Sequence, residues 1–359
     1  MPKRIVIVGG GYVGVDLAKN LEDKADVTLI EQRSHFVHTP AMLRAVVQPS
    51  ILDRALIPYD RLLKRGRRVQ ARAAKVDDSG VIMDDGKRVE ADIIVVATGS
   101  ENTMPFKAKG GDIEGLRAAN ARVHGTLQKA TSVAIVGGGA VGVELAGEIT
   151  HAMPNTRITL ITDQPSLFPD LPKKLGSQLA GKLRGAGVDL VFGARADNLE
   201  SLTEPYSGTL TLSNGQEISA DLIFPTIGSR AVSALLETLP GTEKGSANRY
   251  KVDNRLRPSS LANVYAAGDV VDAGDVMSIV AISRQLPWLK KALQALVDGK
   301  RVEDLKPYKP WNKAPILVPL GPRRGNSFLG LMTVGDGLTS KIKGKDLFLT
   351  RYNKALGQI

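Results

Sequence analysis

The stretch "IVIVGGGYVGVDLA" at residues 5–18 returns as "VAIVGGGAVGVELA" at residues 133–146, and nothing else in the chain restricts its fold as much. Each copy is a strand-length apolar run, a glycine turn and a helical pattern. Gly9, Gly11 and Gly14 in the first copy, and Gly137, Gly139 and Gly142 in the second, fit G-x-G-x-x-G. The first glycine permits a tight turn, the second lets backbone amides approach a pyrophosphate, and the third lets helix pack on strand. The helix N-terminus then faces the anion. One such match is weak evidence. Two, each after a strand and opening a helix, predict two dinucleotide sites.

The duplication extends beyond the glycines. "DGKRVEADIIVVATG" at 85–99 aligns without a gap on "NGQEISADLIFPTIG" at 214–228. In each, an Asp-Gly or Asn-Gly turn joins two alternating runs, a hairpin pattern whose second run is a buried strand. "NRLRPSSLANVYAAGDVVD" at 254–272 holds one more apolar strand without a partner repeat, so it is expected to return to the first domain. The expected fold is α/β: two Rossmann-like dinucleotide-binding domains, the second inserted in the first, plus a small α+β C-terminal domain. The boundaries are 1–112 with 247–299 for the first, 113–246 for the second, and 300–359 for the last. Pro287, inside the helical pattern after 277, predicts a kink or break.

The two sites differ in their carboxylates. Glu31 lies seventeen residues past Gly14 at a strand end, where it can accept both ribose hydroxyls of an adenosine. In the second copy that position is Thr162, followed by Asp163, with Lys173 and Lys174 downstream, which leaves the choice between NADH and NADPH open. FAD as the resident group and NAD(P)H as a transient donor is the natural pairing. Asp269, between a strand and a helix, is placed to bond the ribitol of FAD. Glu144, two residues past Gly142, can touch both nicotinamide and flavin and relay a proton. Arg44 can meet the FAD pyrophosphate or an acid. Pro40 and Ala41 are small enough for a flavin ring to approach, and His35 and His38 read as surface or satisfied histidines.

Composition removes some chemistry. The 359 residues contain no cysteine, so electrons cannot pass through a thiolate or a disulfide. No metal site is expected. Of a formal charge of +11, residues 300–359 carry +8, which attracts anionic lipid, nucleic acid or an acidic protein. The chain runs from "MPKR" straight into "IVIV", with Pro2 after Met1, so no signal or transit segment and no N-myristoylation are expected. No apolar run approaches the roughly 18 residues of a membrane span. A cytoplasmic protein with peripheral membrane association is the expectation. Leu338, Ile342, Leu349, Tyr352 and Leu356 give the basic tail an amphipathic pattern that suits a lipid surface or packing on the first domain.

The paired "VGGG" turns, "VVATGS", "PTIGSR" and "NVYAAGDVVD" resemble the two-dinucleotide flavoprotein oxidoreductases, which include type II NADH dehydrogenases and apoptosis-inducing-factor-like proteins. "HFVHTPAMLRA", "VGVELAGEI", "YKP" and "GKDLFLTRYNK" resemble the mitochondrion-associated ferroptosis-suppressor branch of that group. The resemblance covers essentially the whole chain. It implies FAD and NAD(P)H as cofactors and reduction of a lipid-soluble quinone, of ubiquinone or vitamin K type, at a membrane. It places Gln32, Ala97, Thr98 and Gly99 at the FAD, Gly228 at the NAD(P)H, and catalytic roles on Glu144 and Lys354. A ferredoxin-type reductase, or a slow redox sensor that binds nucleic acid, are the rival readings. Nucleic acid is the less expected partner, and a homodimer stays open.

Overall fold

Residues 1–101 and 103–359 are described in the computed structural model of the chain. The first half holds β1 (Arg4–Val8), α1 (Tyr12–Leu21), β2 (Asp26–Ile30), α2 (Thr39–Ala45), β3 (Arg67–Val69), β4 (Ile93–Val96) and α3 (Ile113–Leu127). The second copy follows as β5 (Ser132–Val136), α4 (Ala140–Ala152), β6 (Arg157–Thr162), α5 (Lys173–Arg184), β7 (Val188–Phe192), β8 (Tyr206–Thr211) and β9 (Glu217–Pro225). Then come β10 (Val264–Ala266), α6 (Ile279–Val297), β11 (Ile316–Leu320), β12 (Arg324–Phe328), β13 (Thr333–Val334), a π-helical turn at Ser340–Gly344, and α7 (Leu349–Ala355).

The first sheet has the order β10-β4-β1-β2-β3, all parallel, and the second β7-β6-β5-β9-β8, parallel except for β8. The central strands are near-continuous Val and Ile because helices cover both faces: Ile5, Ile7, Ala134 and Ile135 are fully buried. The repeat persists at the level of single bonds. Gly9 N donates to Ile30 O (2.9 Å) as Gly137 N does to Ile161 O (2.8 Å), and Ala97 N meets Val8 O as Thr226 N meets Val136 O, both at 2.8 Å. β10 pairs with β4 after the second sheet is complete, so the first sheet is closed by a returning segment.

Two expectations change. α6 runs through Pro287 without a break. Pro287 and Ser283 are both exposed, so the carbonyl that loses its helical donor stays in reach of water. The tail does not form one amphipathic helix with a free apolar face. Leu347 and Phe348 take left-handed backbone (φ 51° and 64°) and separate the π-turn from α7. Leu349 and Leu356 are buried in the cores and half-buried Tyr352 packs against one of them, so packing within the chain takes most of the face that the spacing suggested for lipid and leaves Leu338 exposed. The C-terminal sheet lies directly on α4. A methyl on Gly147 would come within 2.4 Å of Leu320 Cα, so only glycine permits this approach.

Candidate functional site

The three glycines of each turn do different work. Gly9 has φ +105°, and a Cβ there would stand 2.3 Å from Ala97 O; a Cβ on Gly14 would stand 1.8 Å from Gly9 O. Gly137 (φ +126°) and Gly142 repeat this, the latter 2.0 Å from Gly137 O. These four positions need glycine for the fold. At Gly11 and Gly139 a Cβ would meet nothing within 4 Å, because the backbone there opens on a cleft at a helix N-terminus. Such a cradle fits a dinucleotide pyrophosphate, which needs bare amides and the helix end.

Of the residues expected at the FAD, Gly9, Gly11, Glu31, Ala97, Thr98, Gly99 and Asp269 line the first cleft. Gly14 lies behind it. Buried Glu31 braces the turn: Oε2 accepts from Gly10 N (2.5 Å) and Oε1 from Arg33 N (2.8 Å). Ser100 Oγ donates to Asp269 Oδ2 at 2.6 Å. Lys107 also lines the cleft, donating to Ser100 O and Oγ (2.9 and 2.6 Å) with its Nζ 3.8 Å from Asp269 Oδ2. Burial pushes the Lys107 ammonium pKa down, against the pull of Asp269. "PFKAKGG" has no motif or periodicity, so nothing in the sequence marks Lys107. Gln32 is half-buried beside Gly111 and is not part of the lining; Arg33 takes that place. Gly137, Gly139, Thr162 and Gly228 line the second cleft with Asp163 and Arg195, whereas Lys173 and Lys174 do not.

The two copies meet at the first turns of α4. Ala140, Val141 and Glu144 of the second copy line the first cleft, and so does Lys343 from the π-turn. Lys343 Nζ donates to Glu144 Oε1 (2.6 Å), Glu144 Oε2 (2.8 Å) and Leu317 O (3.1 Å). The Glu144 side chain is 5% exposed and that of Lys343 12%. Burial raises the Glu144 carboxyl pKa, Lys343 opposes the rise, and Glu148 adds to it. The lysine beside Glu144 is therefore Lys343, not Lys354. Lys354 is exposed on α7 and outside the lining, because the left-handed break before α7 turns that helix away from the π-turn.

Arg44 resolves toward the acid. It forms a two-pronged pair with Glu148 (Nε to Oε2 2.9 Å, Nη2 to Oε1 2.8 Å) and donates to Gly344 O (2.7 Å) and Lys345 O (3.3 Å), away from the cleft. His38 is fully buried and satisfied. The Leu347 carbonyl can only accept, so Nε2 donates to it (2.6 Å) and Nδ1 accepts from the Tyr12 hydroxyl (3.0 Å). Burial lowers the His38 pKa to about 4, which keeps the ring neutral. Arg44 and His38 together anchor the backbone just after Lys343, at Gly344, Lys345 and Leu347. Half-buried His35 bonds Ser34 Oγ (2.8 Å). Pro40 lines the cleft, and Ala41 is fully buried outside that lining.

The chain is similar to known proteins. The family described as pyridine nucleotide-disulphide oxidoreductase matches residues 1–56 and 57–292. Apoptosis-inducing factor homolog B of Dictyostelium discoideum is 31% identical, over 98% of this chain and 96% of its own. Ferroptosis suppressor protein 1 of Homo sapiens is 26% identical, over 99% of this chain and 96% of its own. Among solved structures, the sulfide:quinone oxidoreductase of Aquifex aeolicus is similar with a TM-score of 0.78 at 15% identity, covering 99% of this chain and 92% of that one.

Proposed function

The chain belongs to the pyridine nucleotide-disulphide oxidoreductase family, and on that footing we propose that it reduces a lipid-soluble quinone with electrons from NAD(P)H. It is an oxidoreductase with FAD and NAD(P)H as cofactors. Bound FAD supplies the chemistry of accepting a hydride from a nicotinamide and passing electrons to an acceptor. With no cysteine in these 359 residues, the disulfide half of the family's name has no counterpart here. The acceptor must be met at the flavin itself.

The observation that carries the quinone reading is the Glu144–Lys343 pair at the junction of the two clefts. Reducing a quinone to a quinol takes two electrons and two protons, and a hydride equivalent brings one proton. A positioned acid must supply the other. Lys343 Nζ holds protons at the cleft wall, and the buried Glu144 carboxylate fixes it there. The backbone at Gly11 and Gly139 would hold the pyrophosphates, and Glu31 and Asp269 would hold ribose and ribitol. Ferroptosis suppressor and sulfide:quinone oxidoreductase relatives support this reading, and a lipid-soluble acceptor brings peripheral membrane association with it.

The test is anaerobic. NADH should bleach the flavin spectrum of the purified protein, and a short-chain ubiquinone should restore it in step with NADH oxidation. If the quinone leaves the flavin reduced, or only a ferredoxin reoxidises it, the reading fails.

A further inference from the structure

Leu349 and Leu356 of the tail's apolar spacing point into the core, yet one turn of the same region presents two large apolar side chains outward. β12 and β13 are joined by a tight turn, Leu329 N donating to Met332 O (2.9 Å), at whose tip Leu331 is 99% and Met332 63% exposed. The strap Lys306–Lys313 runs toward this tip: its Trp311 N bonds Asp275 Oδ1 (3.2 Å), and Pro315 just beyond it reaches within 3.8 Å of a Cβ placed on Gly330. Val276, 61% exposed, directly precedes Met277 and Ser278 in the wall of the first cleft. No acidic residue occurs between Asp304 and Asp336, a stretch with five Lys and Arg, of which Lys306, Lys309 and Lys313 are exposed on the strap.

We propose that this tip and strap form a docking face for an anionic lipid bilayer, Leu331 and Met332 entering the acyl region and the strap lysines lying among the headgroups. Two protruding side chains are far smaller than the roughly 800 Å² per partner of a stable protein interface. A fluid surface needs no matching shape, and a cationic segment beside an apolar tip is what anionic lipid attracts. The inference rests on the quinone reading and deepens it, since a lipid-soluble acceptor is then met on the face where the cleft wall reaches the surface.

The holoprotein can be tested without NADH or quinone. Its only tryptophans, Trp288 and Trp311, both border the groove along the strap, so brominated lipid should quench their fluorescence. The protein should co-sediment with phosphatidylcholine vesicles containing phosphatidylserine, less so at high salt and less without phosphatidylserine. The double variant L331D/M332D should lose binding by at least about tenfold while keeping its FAD and its reduction of a water-soluble short-chain quinone. The proposal is overturned if phosphatidylserine makes no difference, if L331D/M332D binds vesicles as well as the parent, or if that variant converts a dimer to a monomer in lipid-free solution, which would make the tip a contact between copies. Vesicle binding without quinone reduction would sink the activity and leave the docking face standing.

Discussion

Lys343 Nζ lies 2.6 and 2.8 Å from the two carboxylate oxygens of Glu144, although 199 residues separate them. The pair ties a turn near the end of the chain to the second nucleotide helix, at the one place where that helix borders the first cleft. Both side chains are largely removed from water, so each depends on the other for its charge to be tolerated. A buried ion pair is weak evidence for stability. At the wall of a cofactor cleft it is better read as a means of holding a proton donor in place.

Replacing Lys343 should therefore separate chemistry from assembly. K343A is expected to retain FAD and lose roughly a hundredfold or more in quinone-dependent turnover, as when a positioned proton donor is removed. K354A should behave like the parent, because Lys354 is exposed on α7. Without the ammonium that opposes its rise, the Glu144 carboxyl pKa should climb further, moving the pH profile of residual activity upward. Steady-state kinetics of both variants over a pH series decide it; parent-like turnover in K343A would mean that Lys343 does not supply the proton.

The glycines allow a sharper cut. G139A adds a methyl where the protein leaves room, so the chain should fold and keep FAD, while its NAD(P)H KM rises at least about tenfold as the pyrophosphate loses its approach. G142A puts the same methyl 2.0 Å from Gly137 O and should yield little folded protein. Flavin content, circular dichroism and NADH titration distinguish the two. A G139A protein with normal NADH binding would show that the second cleft does not hold the NAD(P)H pyrophosphate.

What the sequence makes legible is what neighbours in the chain determine. β1 and β5, the turns at Gly9 and Gly137, and the helices they open follow from local spacing, and the ungapped repeat extends them to β4 and β9. The partners that finish the site are set by distant contacts. Arg44 finds Glu148 across 104 residues, and Lys343 is selected over Lys354 by a left-handed break at Leu347 and Phe348 that no apolar periodicity announces. The same periodicity in the tail reads equally as a lipid face or a core face until Leu349 and Leu356 are seen to be buried. Lys107 enters the first cleft from a segment with no pattern at all.

Arg44 and Glu148 should matter to turnover without touching substrate. Their pair is almost fully buried, and Arg44 also holds the carbonyls of Gly344 and Lys345 just after Lys343. Breaking such a pair from one side leaves an uncompensated charge and costs about 3–5 kcal/mol. R44M is expected to lower stability by that amount in urea unfolding and to reduce turnover by displacing the π-turn. R44M/E148L should regain most of the stability but not the turnover, since the carbonyls stay unanchored. Full recovery of both would reduce Arg44 to a packing role.

His38 predicts an acid limit that can be traced to one ring. Its folded pKa is about 4 against 6.5 for a free imidazole, because burial disfavours the cation. Between these values the unfolded chain binds a proton that the folded chain refuses, so stability is present above pH 6.5 and drains away as the pH falls toward 4. At roughly 1.4 kcal/mol per pH unit the loss is about 3 kcal/mol. H38Q can still donate to the Leu347 carbonyl but cannot titrate, so its unfolding free energy should decline less than that of the parent over this range, by about that difference. Chemical denaturation at a series of pH values provides the comparison, and parallel curves for the two proteins would place the acid sensitivity elsewhere. Because His38 and Arg44 both hold the backbone that follows Lys343, the pH at which the parent begins to weaken should also be where its turnover becomes sensitive to urea.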